Sequence, residues 1–249
     1  MTIPVRPDLS VLGNPAWASL TGPHAAFAER KGRVLRYPAD VSPFFALPDD
    51  AGPADWADLV ALVGPGEPVP IAAFGVEPPA EWEVLFTGEG VQMTGDEVPD
   101  GSGLLVAQGG TGEFPAAPGE HWAVLGAADV PDVLALVERT KPGPFLPRTI
   151  ELGTYVGVRV DGRLVAMAGE RLHPPGWTEI SAVCTDTDQR GRGLATRLVL
   201  AAVARIRSRG EQPFLHAAAD NTNAIRLYAA LGFRLNRRTT FTVVRTPGN

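Results

Sequence analysis

The stretch Glu179–Ala195, EISAVCTDTDQRGRGLA, concentrates residue types that can hold an anion. Its pattern reads as a strand from Glu179 to Cys184, a polar turn over 185–189, and a helix that begins through Arg190-Gly191-Arg192-Gly193-Leu194-Ala195. Two glycines let the backbone turn tightly and keep side chains out of the space beside the amides. The first N–H groups of a helix have no partner inside it, and the helix dipole adds about half a positive charge there. A phosphate or pyrophosphate suits such a terminus. The expected chemistry is therefore the gripping of the diphosphate of a nucleotide-type molecule.

Spacing narrows the choice. A dinucleotide fingerprint needs glycine at its first, third and sixth positions, and counting from Gly191 the sixth is Thr196; no Gly-Lys-Ser/Thr run of a triphosphate loop is present either. What does fit is Arg/Gln-x-x-Gly-x-Gly/Ala, as Arg190, Gly193 and Ala195. It is followed by Asn221-Thr-Asn-Ala224-Ile-Arg-Leu227-Tyr228 and then Leu231-Gly232-Phe233. This pair of motifs, in this order, resembles the GNAT acyltransferase superfamily in its FR47-like form, whose members take acyl groups from coenzyme A. The resemblance covers about half the chain, 121–246. Thr187 stands where the family often has proline.

The resemblance implies a mixed α/β (α+β) fold, a mostly antiparallel sheet flanked by helices. Its fourth and fifth strands splay apart, and the pantetheine arm of acetyl-CoA lies in the gap. Carried over residue by residue, Val183, Cys184 and Thr185 would offer backbone to that arm. Arg190, Gly191, Arg192, Gly193, Leu194, Ala195 and Thr196 would wrap the pyrophosphate, and Asn221 and Ala224 would border it. The implied reaction is direct attack of a primary amine on the thioester within a ternary complex. A lysine-like amine has a pKa of about 10.4, so its proton must leave to a base or a water relay. A backbone N–H at Val183 or Cys184 is the candidate oxyanion donor. Tyr228 is the expected acid for the departing thiolate. Glu179 is the expected base, with Glu170 as its alternative. A non-catalytic acyl-CoA binding or sensing module is the competing reading.

The remaining reactive side chains point elsewhere. Cys184 lacks a His–Asp/Asn arrangement for covalent catalysis, and a lone strand cysteine is usually core. The histidines (His24, His121, His173, His216) have no metal-binding spacing, so no metal is expected. Trp177 has the best prospect among the tryptophans of lining a pocket.

The chain has 249 residues, 45% hydrophobic and 20% charged, enough for one large or two small packed domains. One cysteine rules out an intrachain disulfide. There is no basic-then-apolar leader and no apolar run of spanning length, so a cytoplasmic protein with no membrane role is expected. Residues 1–120 carry 5 Lys+Arg against 17 Asp+Glu, and 121–249 carry 17 against 11. The basic half coincides with the motif and fits a polyanion. Scattered basic residues with no accompanying motif argue against nucleic acid. An acidic partner half favours a cationic acceptor, a small-molecule or peptide amine such as a polyamine, an aminoglycoside-like amine or a peptide amine. A monomer or a homodimer would both be compatible.

Two domains are expected, 1–118 and 119–249, with 115–119 as the connector. The first would be an acidic companion, either irregular or a degenerate copy of the second. In it, Asn14-Pro15 marks a helix start, with AWASL and HAAFAER behind it. Strands are expected at 33–37, 44–47, 69–74, 82–86 and 104–108, and an amphipathic helix at 55–63. Gly109–Gly112 reads as a turn. In the second half the order is strand 121–125, helix 127–140, a loop at 146–153 and a hairpin 155–160/164–170 turning at Asp161-Gly162. The motif strand 179–184 and helix 194–208 follow, then strand 214–217, helix 221–231 and two closing strands, 233–236 and 240–244.

Overall fold

A computed structural model describes residues 7–71, 75–99 and 116–248. The strand expected at 104–108 and the turn at 109–112 lie outside the described residues. One eleven-stranded sheet runs through what is described, in the order β1-β2-β3-β4-β11-β5-β10-β9-β8-β7-β6. These strands are β1 (Glu29–Lys31), β2 (Val34–Arg36), β3 (Phe45–Ala46), β4 (Pro68–Ile71), β5 (Glu83–Thr94), β6 (Glu120–Leu125), β7 (Tyr155–Val160), β8 (Arg163–Glu170), β9 (Trp177–Thr185), β10 (Gln212–Ala218) and β11 (Arg234–Arg245). Neighbours are antiparallel except for β3–β4 and β9–β10. The helices are α1 (Pro15–Leu20), α2 (Pro53–Val63), α3 (Val130–Thr140), α4 (Leu194–Ser208) and α5 (Thr222–Ala230).

Local signals explain most of these elements. The Asn14 side chain accepts from the Trp17 N–H and Pro15 opens α1, so the cap-then-proline pattern is realised. The HAAFAER segment departs from its reading: residues 25–27 form one tight turn and 29–31 an edge strand. The hairpin between β7 and β8 closes through Asp161 and Gly162, both with positive φ. α4 spans the residues its apolar spacing predicts, burying Leu194, Leu198, Ala202 and Ile206 with Val199 and Val203 beside them.

The sheet joins the two halves of the sequence. β5 was legible only in its first residues, yet it continues to Thr94 and lies between β10 and β11. The two expected closing strands are a single β11 with a register shift between Leu235 and Arg237. The sheet's two faces bury different partners. On one, Leu12, Ala16 and Leu20 pack against Trp177, Phe214 and Leu152. On the other, Ile180, Leu215 and Met93 pack against Val199, Val203 and Tyr228.

Gly169 on β8 has no room for a side chain, because a Cβ there would run into the Tyr155 ring. Gly169→Ala should destabilise the chain by about 1–3 kcal/mol through overpacking. Urea unfolding of the purified variant measures this, and an unchanged midpoint would mean the ring can yield freely.

Candidate active site

The site begins where two strands stop pairing. β9 and β10 are in register from Trp177/Gln212 to Ile180/Leu215 and no further. Beyond that point Cys184 and Thr185 pair only with β8, whereas Ala217 and Ala218 pair with β5. A bulge drives the divergence: between Met167/Cys184 and Gly169/Ser181 one extra residue sits on β9, where Ala182 has φ 53°. Such a bulge bends its strand and frees backbone groups from the ladder.

A cleft of about 460 Å³ opens at this divergence. Val183, Cys184 and Thr185 form its strand wall, and Arg190, Gly191, Gly193, Leu194, Ala195 and Thr196 form its floor. Asn221, Ala224 and Tyr228 face it from α5. Gly191 (φ 78°) and Gly193 (φ 72°) hold the left-handed turn, with open space where a Cβ would stand. No side chain caps α4. Asn221 instead caps its own helix, accepting from the Ala224 N–H at 3.2 Å. The Thr185 hydroxyl is buried without a hydrogen-bond partner. Free helix amides, a Cβ-free turn and an unpaired hydroxyl together fit a ligand with a diphosphate and an amide-bearing arm.

Arg192 stands apart from the other loop residues. It does not line the cleft; its guanidinium bonds Glu120 at 3.2 Å and the Gln189 side chain. Arg197 joins it on Glu120 at 2.8 and 3.0 Å, with its guanidinium over the Trp122 ring. Arg197's hydrogen bonds hold the Glu120 carboxyl at about 2, against the cost of burial and with help from the Trp122 and Ala117 N–H groups. Thr140, Lys141 and Pro142, at the end of α3, also line the cleft and were not among the residues expected there. Their signal is the Lys141-Pro142-Gly143-Pro144 run that ends the helix expected at 127–140.

Burial, with the Cys184 thiol nearby, pushes the Tyr228 phenol up to about 12, so it is protonated at neutral pH. Burial likewise pushes the Cys184 thiol up to about 11, which makes it a poor nucleophile.

Glu179 lies on the other face of the sheet and lines neither cavity described here. It is wholly buried, receiving Arg171 at 2.8 and 2.6 Å and bonding His216 Nδ1 at 2.7 Å. Burial opposes its charge, but Arg171 and His216 outweigh that and hold the carboxyl well below the usual range. Glu170 is also buried, bonded to the Thr154 N–H and to Arg209. A further cavity of about 290 Å³ opens on the Glu179 side, with His216 and Arg171 in its lining among Phe44, Phe86 and Phe241. Among the described residues there is no cluster of His, Cys, Asp or Glu that could hold a metal, and no helix is long and apolar enough to cross a membrane.

A crystal structure of a GNAT-family acetyltransferase from Novosphingobium aromaticivorans superposes with a TM-score of 0.78 at 37% identity, covering 96% of this chain and 99% of that one. The chain belongs to the GNAT acetyltransferase family. Residues 155–242 match the family model described as FR47-like protein. Mycothiol acetyltransferase of Thermobispora bispora is 33% identical over 153 residues, 55% of this chain and 48% of that protein. The match to its Saccharopolyspora erythraea counterpart, at 34%, covers 32% and 27%. The chain thus spans about half the length, or less, of these curated relatives. A GCN5-related N-acetyltransferase from Kribbella flavida, at 20% identity and TM-score 0.54, covers 94% of this chain and 96% of that one and shares the fold. The GNAT motif residues, from Val183 through Tyr228, all fall within the FR47-like match.

Because its folded pKa is depressed, Glu120 contributes stability that is complete above about pH 4.5 and is lost as pH falls toward about 2. Thermal melts of wild type and Glu120→Gln should differ most at neutral pH and converge over that acid window. A constant difference across it would assign the stabilisation to other contacts.

Proposed function

We propose that this chain is an acetyl-CoA-dependent N-acetyltransferase that passes the acetyl group to a primary amine by direct attack in a ternary complex. The observation that carries the reading is the divergence of β9 and β10 directly above the uncapped start of α4. It puts unpaired strand backbone and free helix amides on one cleft, which is what the extended arm and the diphosphate of acetyl-CoA each need. Arg190, which donates to the Thr185 carbonyl at 3.3 Å, and Lys141 add positive charge to its lining.

Acetyl-CoA supplies the activated thioester; the protein orients it and manages protons. In this reading the N–H of Val183 or Cys184, beside the bulge, stabilises the oxyanion. Tyr228, protonated and at the cleft wall, hands a proton to the departing thiolate. The reading changes the part given to Glu179. A carboxylate held far below the working pH is a weak proton acceptor, and this one has no exposed surface. We assign it to positioning, through Arg171 and His216, on the face from which the amine arrives. The amine then loses its proton to water, and activity climbs with pH as more amine is neutral.

A binding or sensing module would keep the cleft and not turn over. Steady-state thiol release from acetyl-CoA across an amine panel separates the two. Tyr228→Phe should lower kcat by about 10²-fold, the low end for general acid catalysis, with the KM for acetyl-CoA nearly unchanged. Tight binding with no thiol release on any amine would favour the sensor. In the same assay, log kcat/KM should rise with pH between 6 and 9 for wild type and Glu179→Gln alike, about one unit per pH unit while the amine's pKa lies well above. Loss of that slope only in Glu179→Gln would restore the residue as the base.

A further inference from the structure

The cavity on the Glu179 face has walls unlike those expected for a polycation. Phe44 and Phe241 meet edge to face at 6.1 Å, and Phe86, Pro15 and Pro144 share the lining with them. Phe86 can lie along its strand because Gly88 has no side chain; a Cβ there would stand 2.8 Å from the ring.

The polar groups on this lining are largely committed to each other. Arg171 gives both ends of its fork to Glu179 and lies over the Phe44 ring at 4.9 Å. His216 bonds Glu179 through Nδ1, and its Nε2 sits 3.0 Å from Gln92 Nε2. The orientation of Gln92 is fixed from both ends. Its nitrogen donates to the Leu12 carbonyl at 2.9 Å, and its oxygen accepts from Asn236 at 2.7 Å. Gln92 and Glu179 thereby take up both ring nitrogens of His216. What remains for a ligand is mainly aromatic surface, with the Thr239 side chain and one carboxylate, Glu89, which no cation pairs among the described residues.

Size narrows the ligand further. An apolar cavity of about 150 Å³ takes benzene, so about 290 Å³ suits one ring with a short chain. From the lining and its size we propose that the acceptor is a primary amine on a compact apolar body, of the order of an arylalkylamine, and neither a polyamine nor an amino sugar. The ammonium end is attracted by Glu89 and by the aromatic faces. A polyamine would leave its further charges without carboxylates, and a sugar would leave most of its hydroxyls without partners. This deepens the acyl-transfer reading and rests on it; it also narrows the cationic acceptor expected from the acidic composition of the first half to a monoamine.

The test compares phenethylamine, spermidine and glucosamine in two assays. In thiol release from acetyl-CoA, phenethylamine should exceed the other two in kcat/KM by about tenfold or more, a span hydrophobic pockets reach. Phe86→Ser, at a half-exposed position, should raise its KM about tenfold by the same measure and leave the KM for acetyl-CoA unchanged. Spermidine or glucosamine turned over as well as phenethylamine would overturn the inference and leave acyl transfer standing. In the second assay, calorimetry measures the binding of each amine to the protein saturated with coenzyme A. Phenethylamine binding that Phe86→Ser weakens, with no turnover, would keep the site and sink acyl transfer. No binding, or binding indifferent to Phe86→Ser, would overturn the site itself.

Discussion

Two adjacent parallel strands part company after four paired residues, and the site depends on that parting. Backbone N–H and C=O groups seldom stay unpaired where water is scarce, so a strand that leaves its neighbour needs a reason and a replacement partner. The reason lies in the chain: an extra residue on β9 at Ala182, opposite a glycine that the Tyr155 ring forbids to be larger. β10 is held on its other side by β5, so it cannot follow β9 away. The wedge is therefore built from residues on both sides of it, and one of its supports comes from the first half of the sequence.

The electrostatics of the cleft differ from what its arginine-rich loop suggests. Arg192 and Arg197 are engaged with Glu120, which cancels part of their charge and fastens the loop to β6. The attraction left for a polyanion comes from backbone amides at Gly191 and Gly193 and from Arg190 and Lys141 in the same lining. Fixed amides cost less ordering entropy than long side chains do. A loop pinned from behind by a buried carboxylate keeps those amides in place.

Most of this was legible where local rules decide the structure. α4 could be bounded from its glycines and apolar spacing, and the motif residues before and within it, Arg192 apart, meet in one cleft because they are neighbours in a strand–turn–helix unit. The rest depended on long-range pairing. The sequence pattern reveals only the beginning of β5, since its later residues alternate weakly and owe their strand to β10 and β11. Glu179 could be seen on a strand, but which face it took, and that Arg171 and His216 would occupy it, follow from sheet packing. The second cavity draws Phe86, His216 and Phe241 from three strands, and Phe44 from just before β3, segments that only the sheet order brings together. HAAFAER has helical composition, yet pairing with β2 makes its end an edge strand.

Amide hydrogen exchange with and without coenzyme A tests the central claim most directly, because it reads the groups said to do the gripping. The account predicts that the ligand slows exchange at Val183–Thr185 and Gly191–Thr196, with little change on β6 and β7. Protection confined to other segments, or none at saturating ligand, would contradict it.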